Sequence, residues 1–400
     1  MHVARAKNGV FLGILLCCIL VFHGCTGVVQ NSVIKGSGGA VQESAQVPAS
    51  ADDSFATQES TPSVIDPPMP SLEEMLGQNF MVGFDGKEIT DEIRFYLHQI
   101  KPAGIVIYRR NIEDSAQITQ LLQELQEIAI ETTGTRYFVM IDEEPDGASR
   151  MGLLKNCCPL GSPYWKKIDQ DVAILSSFGF NTELAPVVDF PFNPQSFMRN
   201  RVPVNTTEEL MSFNQGFIDI LHAHGMFATL KHFPGMGAFS TDPHLAIPDQ
   251  EISKETFQQS LDLFQHGIDA GADFIMTAHA VYGHVDSTYP ATLSRLIITD
   301  VLKEKMQFQG LIVTDDLSDM ALACNVWTLD ELGELSILAG HHLILYSHKL
   351  SRTAEMFQYI LQKCSQDELL FKQVQQNYMD VSAFKRSHQM DSSSEMKEGL

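Results

Sequence analysis

The sequence predicts an α/β chain folded as a TIM-type (β/α)8 barrel in a single domain. Three observations lead there. Eight apolar runs of strand length follow one another from residue 80 to residue 346, segments of helical period separate them, and five of the eight runs end in ionisable residues. An open doubly wound sheet would alternate in the same way, but no Gly-x-Gly-x-x-Gly turn follows the first run. The barrel is therefore the expectation.

The chain ahead of the barrel divides in two. His2, Arg5 and Lys7 give a basic start, and residues 10–22 form an apolar run of about 13 residues, too short for a stable membrane span. Residues 1–25 are read as an export signal. Cys25, preceded by the small Gly24, resembles the lipidated cysteine of a bacterial lipoprotein; simple cleavage and an uncleaved anchor are the other readings. Residues 26–70 are rich in Gly, Ser, Ala, Gln and Pro and lack periodicity, as expected of a disordered tether that cannot bury enough apolar surface to offset its ordering entropy.

The barrel is expected over residues 71–385. A short helix over 72–79 opens it. The predicted strands are 80–84, 104–108, 137–141, 184–188, 227–230, 274–277, 311–314 and 343–346, with helices over 118–130, 207–222, 256–270 and 298–305. Residues 358–384 supply closing helices, and 386–400 form a polar tail.

Composition narrows the function classes. Hydrophobic residues make up 44% of the 400, ample for a large core, and the net charge of -23 argues against nucleic-acid binding, which needs a basic surface. Of the seven cysteines, Cys17 and Cys18 lie in the apolar run and Cys25 is the candidate anchor. Cys157, Cys158, Cys324 and Cys364 have neither zinc-ligand spacing nor the look of a disulfide framework. His222 with His224, and His341 with His342, lack ligand partners at useful spacing. No metal and no cofactor are expected.

Barrel chemistry collects at the carboxyl ends of strands. There the sequence places Asp142-Glu143-Glu144, Asp189, Lys231-His232, His279 and Asp315-Asp316. The densest stretch is Lys231-His232-Phe233-Pro234-Gly235-Met236-Gly237, followed by Asp242-Pro243-His244. Ionisable residues closing apolar runs carry a desolvation cost that a functional use would explain.

That stretch resembles the β-N-acetylglucosaminidases of glycoside hydrolase family 3, whose pattern is Lys-His-Phe-Pro-Gly-His-Gly, four residues, then Asp-Ser-His. Residues 77–86, 104–111, 181–189, 270–279 and 310–320 resemble that family's other strands in order, so the similarity spans about residues 71 to 385. The resemblance implies Asp315 as nucleophile, His244 as general acid/base and Asp242 as its orienting partner. It implies substrate binding by Asp142, Arg150, Lys231, His232 and Arg201, with Arg199 a rival for the last place.

It further implies a retaining, exo-acting β-N-acetylglucosaminidase whose partner is a carbohydrate, terminal N-acetylglucosamine of peptidoglycan fragments; the lipoprotein-like start would hold such an enzyme at a membrane, near the wall. Two other readings stand beside it. Some relatives with this loop transfer the sugar to phosphate, which would make the chain a phosphorylase, and an anchored barrel could bind wall sugars without catalysis. Four departures from the family pattern bear on the choice. Pro145-Asp146-Gly147 replaces Gly-Gly-Arg, Pro243 stands between Asp242 and His244 and fixes its own φ, Met236 replaces a histidine, and His342 stands where Asp is common. Trp165 and Trp327 could stack on sugars, with packing as the default role.

Overall fold

A computed structural model describes residues 69–145, 147–154, 162–243, 245–249, 251–323 and 326–391. Among them eight parallel strands form one sheet: β1 Phe80–Val82, β2 Gly104–Ile107, β3 Phe138–Ile141, β4 Thr182–Glu183, β5 Phe227–Phe233, β6 Phe274–Thr277, β7 Leu311–Thr314 and β8 Ile344–Tyr346. β8 pairs with β1, and the sheet closes through a parallel bridge between Val313 and Leu343, with Thr314 N–H donating to Leu343 O at 3.1 Å. The barrel expectation holds, and seven of the eight predicted runs overlap its strands.

The apolar runs separate into two packed layers by the two-residue period of a strand. Met81, Val106, Phe138, Met140, Phe274, Met276, Val313 and Leu345 form one buried cluster, which fills the lumen. Their neighbours Val82, Ile105, Val139, Ile275, Ile312 and Ile344 belong to a second cluster shared with the helices outside. Helix Thr207–Ala223 shows the helical counterpart, burying Leu210, Phe213, Phe217 and Leu221 at spacings of three and four. Thr206 caps its first turn by accepting from Glu209 N, and the helix Leu329–Ala339 starts with a capping box from Thr328 and Glu331 and ends at Gly340 in the left-handed conformation.

One strand is displaced. The sequence predicts 184–188, whereas the ladder assigns β4 to Thr182–Glu183 and leaves Val187 only a single bridge to Lys231. Pro186 has no N–H, so a regular ladder cannot run through the apolar Leu184–Val188 stretch. The closing helices are Leu350–Cys364 and Glu368–Ser387, and Met390 beyond the second is still buried. Cys364 is a buried free thiol. Among the described residues no helix is long and apolar enough to cross a membrane. Cys25 and residues 10–22 lie outside the described residues.

Candidate active site

The carboxyl ends of the strands converge on a cavity of about 510 Å³, lined among others by Tyr108, Asp142, Arg150, Arg201, Lys231, His232 and Asp315. Chain positions from 108 to 315 thus meet in one pocket.

Two carboxylates and three cations interlock along one wall. Lys231, only 2% exposed, places Nζ 2.6 Å from Asp142 Oδ1 and 2.7 Å from Glu144 Oε1. Arg150 holds the other Asp142 oxygen at 2.6 Å, and Arg201 grips Glu144 through Nε at 3.0 Å and Nη2 at 2.5 Å, a bidentate pair. Burial alone would raise both carboxyls, but the neighbouring cations outweigh it. Lys231, then Arg150, hold Asp142 well below the usual carboxylate range, and Lys231 with Arg201 lowers Glu144 to about 2. The wall stays fully ionised at neutral pH. It offers a polyhydroxylated ligand charged acceptors beside charged donors.

The loop after β3 carries one departure from the family pattern, Pro145-Asp146-Gly147. Glu143 is completely buried and accepts from the backbone N–H groups of Arg150, Met151 and Leu153 at 2.7–2.8 Å and from the Ser149 hydroxyl, so it is the anchor of the loop rather than a ligand group. A Cβ on Gly147 would sit 2.0 Å from Glu144 Oε2, so the chain needs glycine there to keep the Glu144–Arg201 pair. Asp146 lies outside the described residues.

At the end of β5, Asp189 organises both His232 and the loop that follows. Its Oδ2 lies 2.6 Å from His232 Nδ1, and its Oδ1 accepts from Met236 N at 2.6 Å. A carboxylate only accepts, so Nδ1 carries the proton and Nε2 is left facing Asp315, at 3.9 Å from Oδ2. Gly237 packs where a Cβ would meet Phe190 O at 1.8 Å. Gly237→Ala is therefore expected to cost about 1–3 kcal/mol, by denaturant titration, and to lower activity by displacing Asp189 with Phe190.

The adjacent carboxylates Asp315 and Asp316 have different work. Asp316 is 3% exposed, bonds to the Ser347 hydroxyl and accepts from Ser318 N at 2.9 Å, which ties it to the turn into the next helix. Asp315 is open to the cavity, with a side chain 26% exposed. Burial would raise its carboxyl, but His232 and His279 more than offset this, so it is held below its ordinary value and ionised. His279 does not reach into the cavity as a free base. It bonds to Thr292 Oγ1 at 2.7 Å and to the Asp316 carbonyl at 3.2 Å, and burial lowers its pKa.

Arg201 lines the cavity, whereas its rival Arg199 is exposed and donates to Pro194 O at 3.3 Å. Asp242 is half-buried, stands outside the lining of the cavity, and its carbonyl accepts from Leu245 N at 3.0 Å; Pro243 is buried beside it. His244 lies outside the described residues. Met236 is buried, and His342, at the opposite end of the barrel, accepts from Ile312 N at 2.9 Å. Trp165 stacks on Phe213 and Trp327 on Tyr289, both as packing. His222 and His224 pair separately with Asp273 and Asp169.

Three contributors lie outside the site residues that the family resemblance implies: Glu144, Asp189 and Tyr108, over whose ring the Arg150 guanidinium lies at 5.0 Å. Glu144 and Asp189 were visible as carboxylates at strand ends; Tyr108 ends a run in an aromatic residue, which carries no comparable signal. Among the described residues, Asp316, Asp319 and His348 bring ligand-type atoms within 4.8 Å of one another. Asp316 is already engaged by Ser347 and Ser318, and no metal role is assigned.

Residues 71–383 match the family model described as glycosyl hydrolase family 3 N terminal domain. The chain belongs to glycoside hydrolase family 3. It is a glycosidase. A β-hexosaminidase of Vibrio cholerae is 27% identical over 317 residues, covering 76% of this chain and 93% of that protein. The solved structure of a family 3 β-N-acetylglucosaminidase from Paenibacillus sp. is 26% identical with a TM-score of 0.73, over 80% of this chain and 63% of that one, so this chain spans less than two thirds of the Paenibacillus enzyme. The β-N-acetylhexosaminidase of Beutenbergia cavernae is 27% identical with a TM-score of 0.70, over 79% of this chain and 99% of that one.

Proposed function

We propose that this family 3 glycosidase is a retaining exo-β-N-acetylglucosaminidase that removes terminal N-acetylglucosamine from peptidoglycan fragments. The observation that carries the reading is Asp315, ionised and open to a cavity that Asp142, Arg150, Lys231 and Arg201 also line, with Glu144 buried behind them as partner of Lys231 and Arg201. Support for the sugar comes from the names of the Vibrio cholerae, Paenibacillus and Beutenbergia relatives.

In the first step an Asp315 oxygen attacks the anomeric carbon while the bond to the aglycone oxygen breaks, and His244 gives that oxygen its proton. In the second step His244 takes a proton from water, the water oxygen bonds to the anomeric carbon, and Asp315 leaves. Two displacements return the β configuration. A histidine in the acid/base role avoids a second negative charge facing Asp315, and Asp242 would orient it. His232 stands 3.9 Å from Asp315 Oδ2 and favours its charged form. The export signal and a lipid on Cys25 would hold the enzyme outside the cytoplasmic membrane, near wall fragments.

The test is the first product from an aryl β-N-acetylglucosaminide and from a wall-derived disaccharide, with and without phosphate. Free β-N-acetylglucosamine at a phosphate-independent rate is expected. A sugar 1-phosphate would replace hydrolysis by phosphorolysis. If wild type, Asp315→Asn and His244→Ala bound the disaccharide and were equally inert, the chain would be a sugar-binding protein instead.

A further inference from the structure

At the opposite end of the barrel the last helix, Glu368–Ser387, carries Phe384 and Lys385 beneath the lumen. The Phe384 ring meets those of Phe138, Phe227 and Phe274 at centroid distances of 5.3–5.8 Å and closes the floor. Lys385 is 1% exposed. Its Nζ donates to Gln78 Oε1 at 3.0 Å and Thr135 Oγ1 at 3.3 Å, and it lies 5.2 Å from the centroid of the Phe138 ring. All of these partners are neutral, and among the described residues Lys385 has no ion pair. An ammonium has three N–H bonds, and two are used.

Lys385 borders a cavity of about 310 Å³ whose lining also includes Glu74, Lys101, Thr133, Tyr378 and Ser382. Within it Lys101 and Glu74 pair with each other at 2.8 Å and cancel. Among the described residues that line the cavity, the remaining charge is therefore that of Lys385. Burial pushes this amine down to about 7, the behaviour of a cation that lacks a counter-charge. A buried charge without a partner is costly, and an anion in the adjoining cavity would remove that cost.

We propose that this cavity binds a small oxyanion, a carboxylate or a phosphate, with Lys385 as its cation and the Tyr378 and Ser382 hydroxyls as further donors. The site is separate from the cavity of Asp315 and is independent of which sugar is cleaved there. Its occupant would join the last helix to the first, Leu72–Gly77, and to the turn at Thr133–Thr135. Ligand binding to the folded state alone stabilises it by mass action, so melting temperature reads occupancy.

The experiment compares wild type, Lys385→Met and Ser382→Asp at about pH 6.5 and constant ionic strength, titrating inorganic phosphate in one arm and acetate in the other. Wild type is expected to show a saturable rise of about 5 °C at a hundredfold excess over Kd in at least one arm, which identifies the anion. Lys385→Met removes the cation at similar volume and should abolish the rise. Ser382→Asp supplies a carboxylate one turn from Lys385; it should melt higher without anion and gain nothing from it, and it keeps the test open if Lys385→Met misfolds. A rise that persists in either variant places the anion elsewhere, the active site included, and overturns the proposal. So does the absence of a rise in wild type in both arms.

Discussion

Asp315→Asn is expected to lower kcat toward an aryl β-N-acetylglucosaminide on the order of 10⁴-fold, with a melting temperature within about one degree of wild type. The side chain makes few structural bonds: Oδ1 accepts from the adjacent Asp316 N at 2.8 Å, and Oδ2 faces His232 across 3.9 Å. An amide of the same shape keeps the packing and removes the carboxylate proposed as nucleophile. Asp316→Asn should behave in the opposite way, melting lower because it disturbs the contacts to Ser347 and Ser318 while retaining far more activity. A nucleophile also predicts rescue. In Asp315→Ala, added azide can enter the vacated space and attack the anomeric carbon, forming a C–N bond as the aryl oxide departs and giving the α-glycosyl azide. Steady-state rates and the product anomer check both expectations. If Asp316→Asn proved the more damaging to kcat, the roles assigned to the two carboxylates would be reversed.

Lys231→Met is expected to be the most damaging change to stability among the cavity residues. Removing one member of a buried ion-pair network leaves the others uncompensated, typically at a cost of about 3–5 kcal/mol. Here Asp142 and Glu144 would each lose a contact of 2.6–2.7 Å, and Glu144 is completely buried. The pH dependence separates lost charge from lost packing. Both carboxyls are depressed in the folded protein, so their stabilising contribution is present above their unfolded values and disappears as pH falls through their folded ones. The urea-midpoint difference between wild type and Lys231→Met should accordingly be largest above about pH 4.5 and shrink towards pH 2. A difference that stayed constant over that range would assign Lys231 to packing. Activity should fall in parallel, because Asp142 and Arg150 would lose their fixed geometry.

The barrel was legible because parallel strands covered on both faces impose a strong pattern of apolar runs, each followed by a helical period. The ends of those runs located Asp142, Lys231, His232 and Asp315 in one-dimensional form. The position of β4 was less legible, since Leu184 to Val188 looks like any buried strand until the missing N–H of Pro186 is placed against its neighbour. Arg199 and Arg201 were indistinguishable for a similar reason. Two residues apart on a short helical turn and the residue after it, one meets solvent and Pro194 and the other meets Glu144.

The sequence alone therefore determined the architecture and the chemical types at the strand ends, because hydrophobic period and residue type are properties of neighbours along the chain. Tertiary structure decided which carboxylate does what. Glu143 became a loop anchor, Glu144 a partner of Arg201 and Lys231, Asp189 the orienter of His232, and Asp316 a tie to Ser347, while Asp315 was left open to the cavity. Those roles depend on distances of 2.5–3.9 Å between residues up to 89 positions apart, and local sequence does not encode such distances. The same holds at the barrel floor, where Lys385 is an ordinary lysine in sequence and, among the described residues, a buried amine whose hydrogen-bond partners in the fold are all neutral.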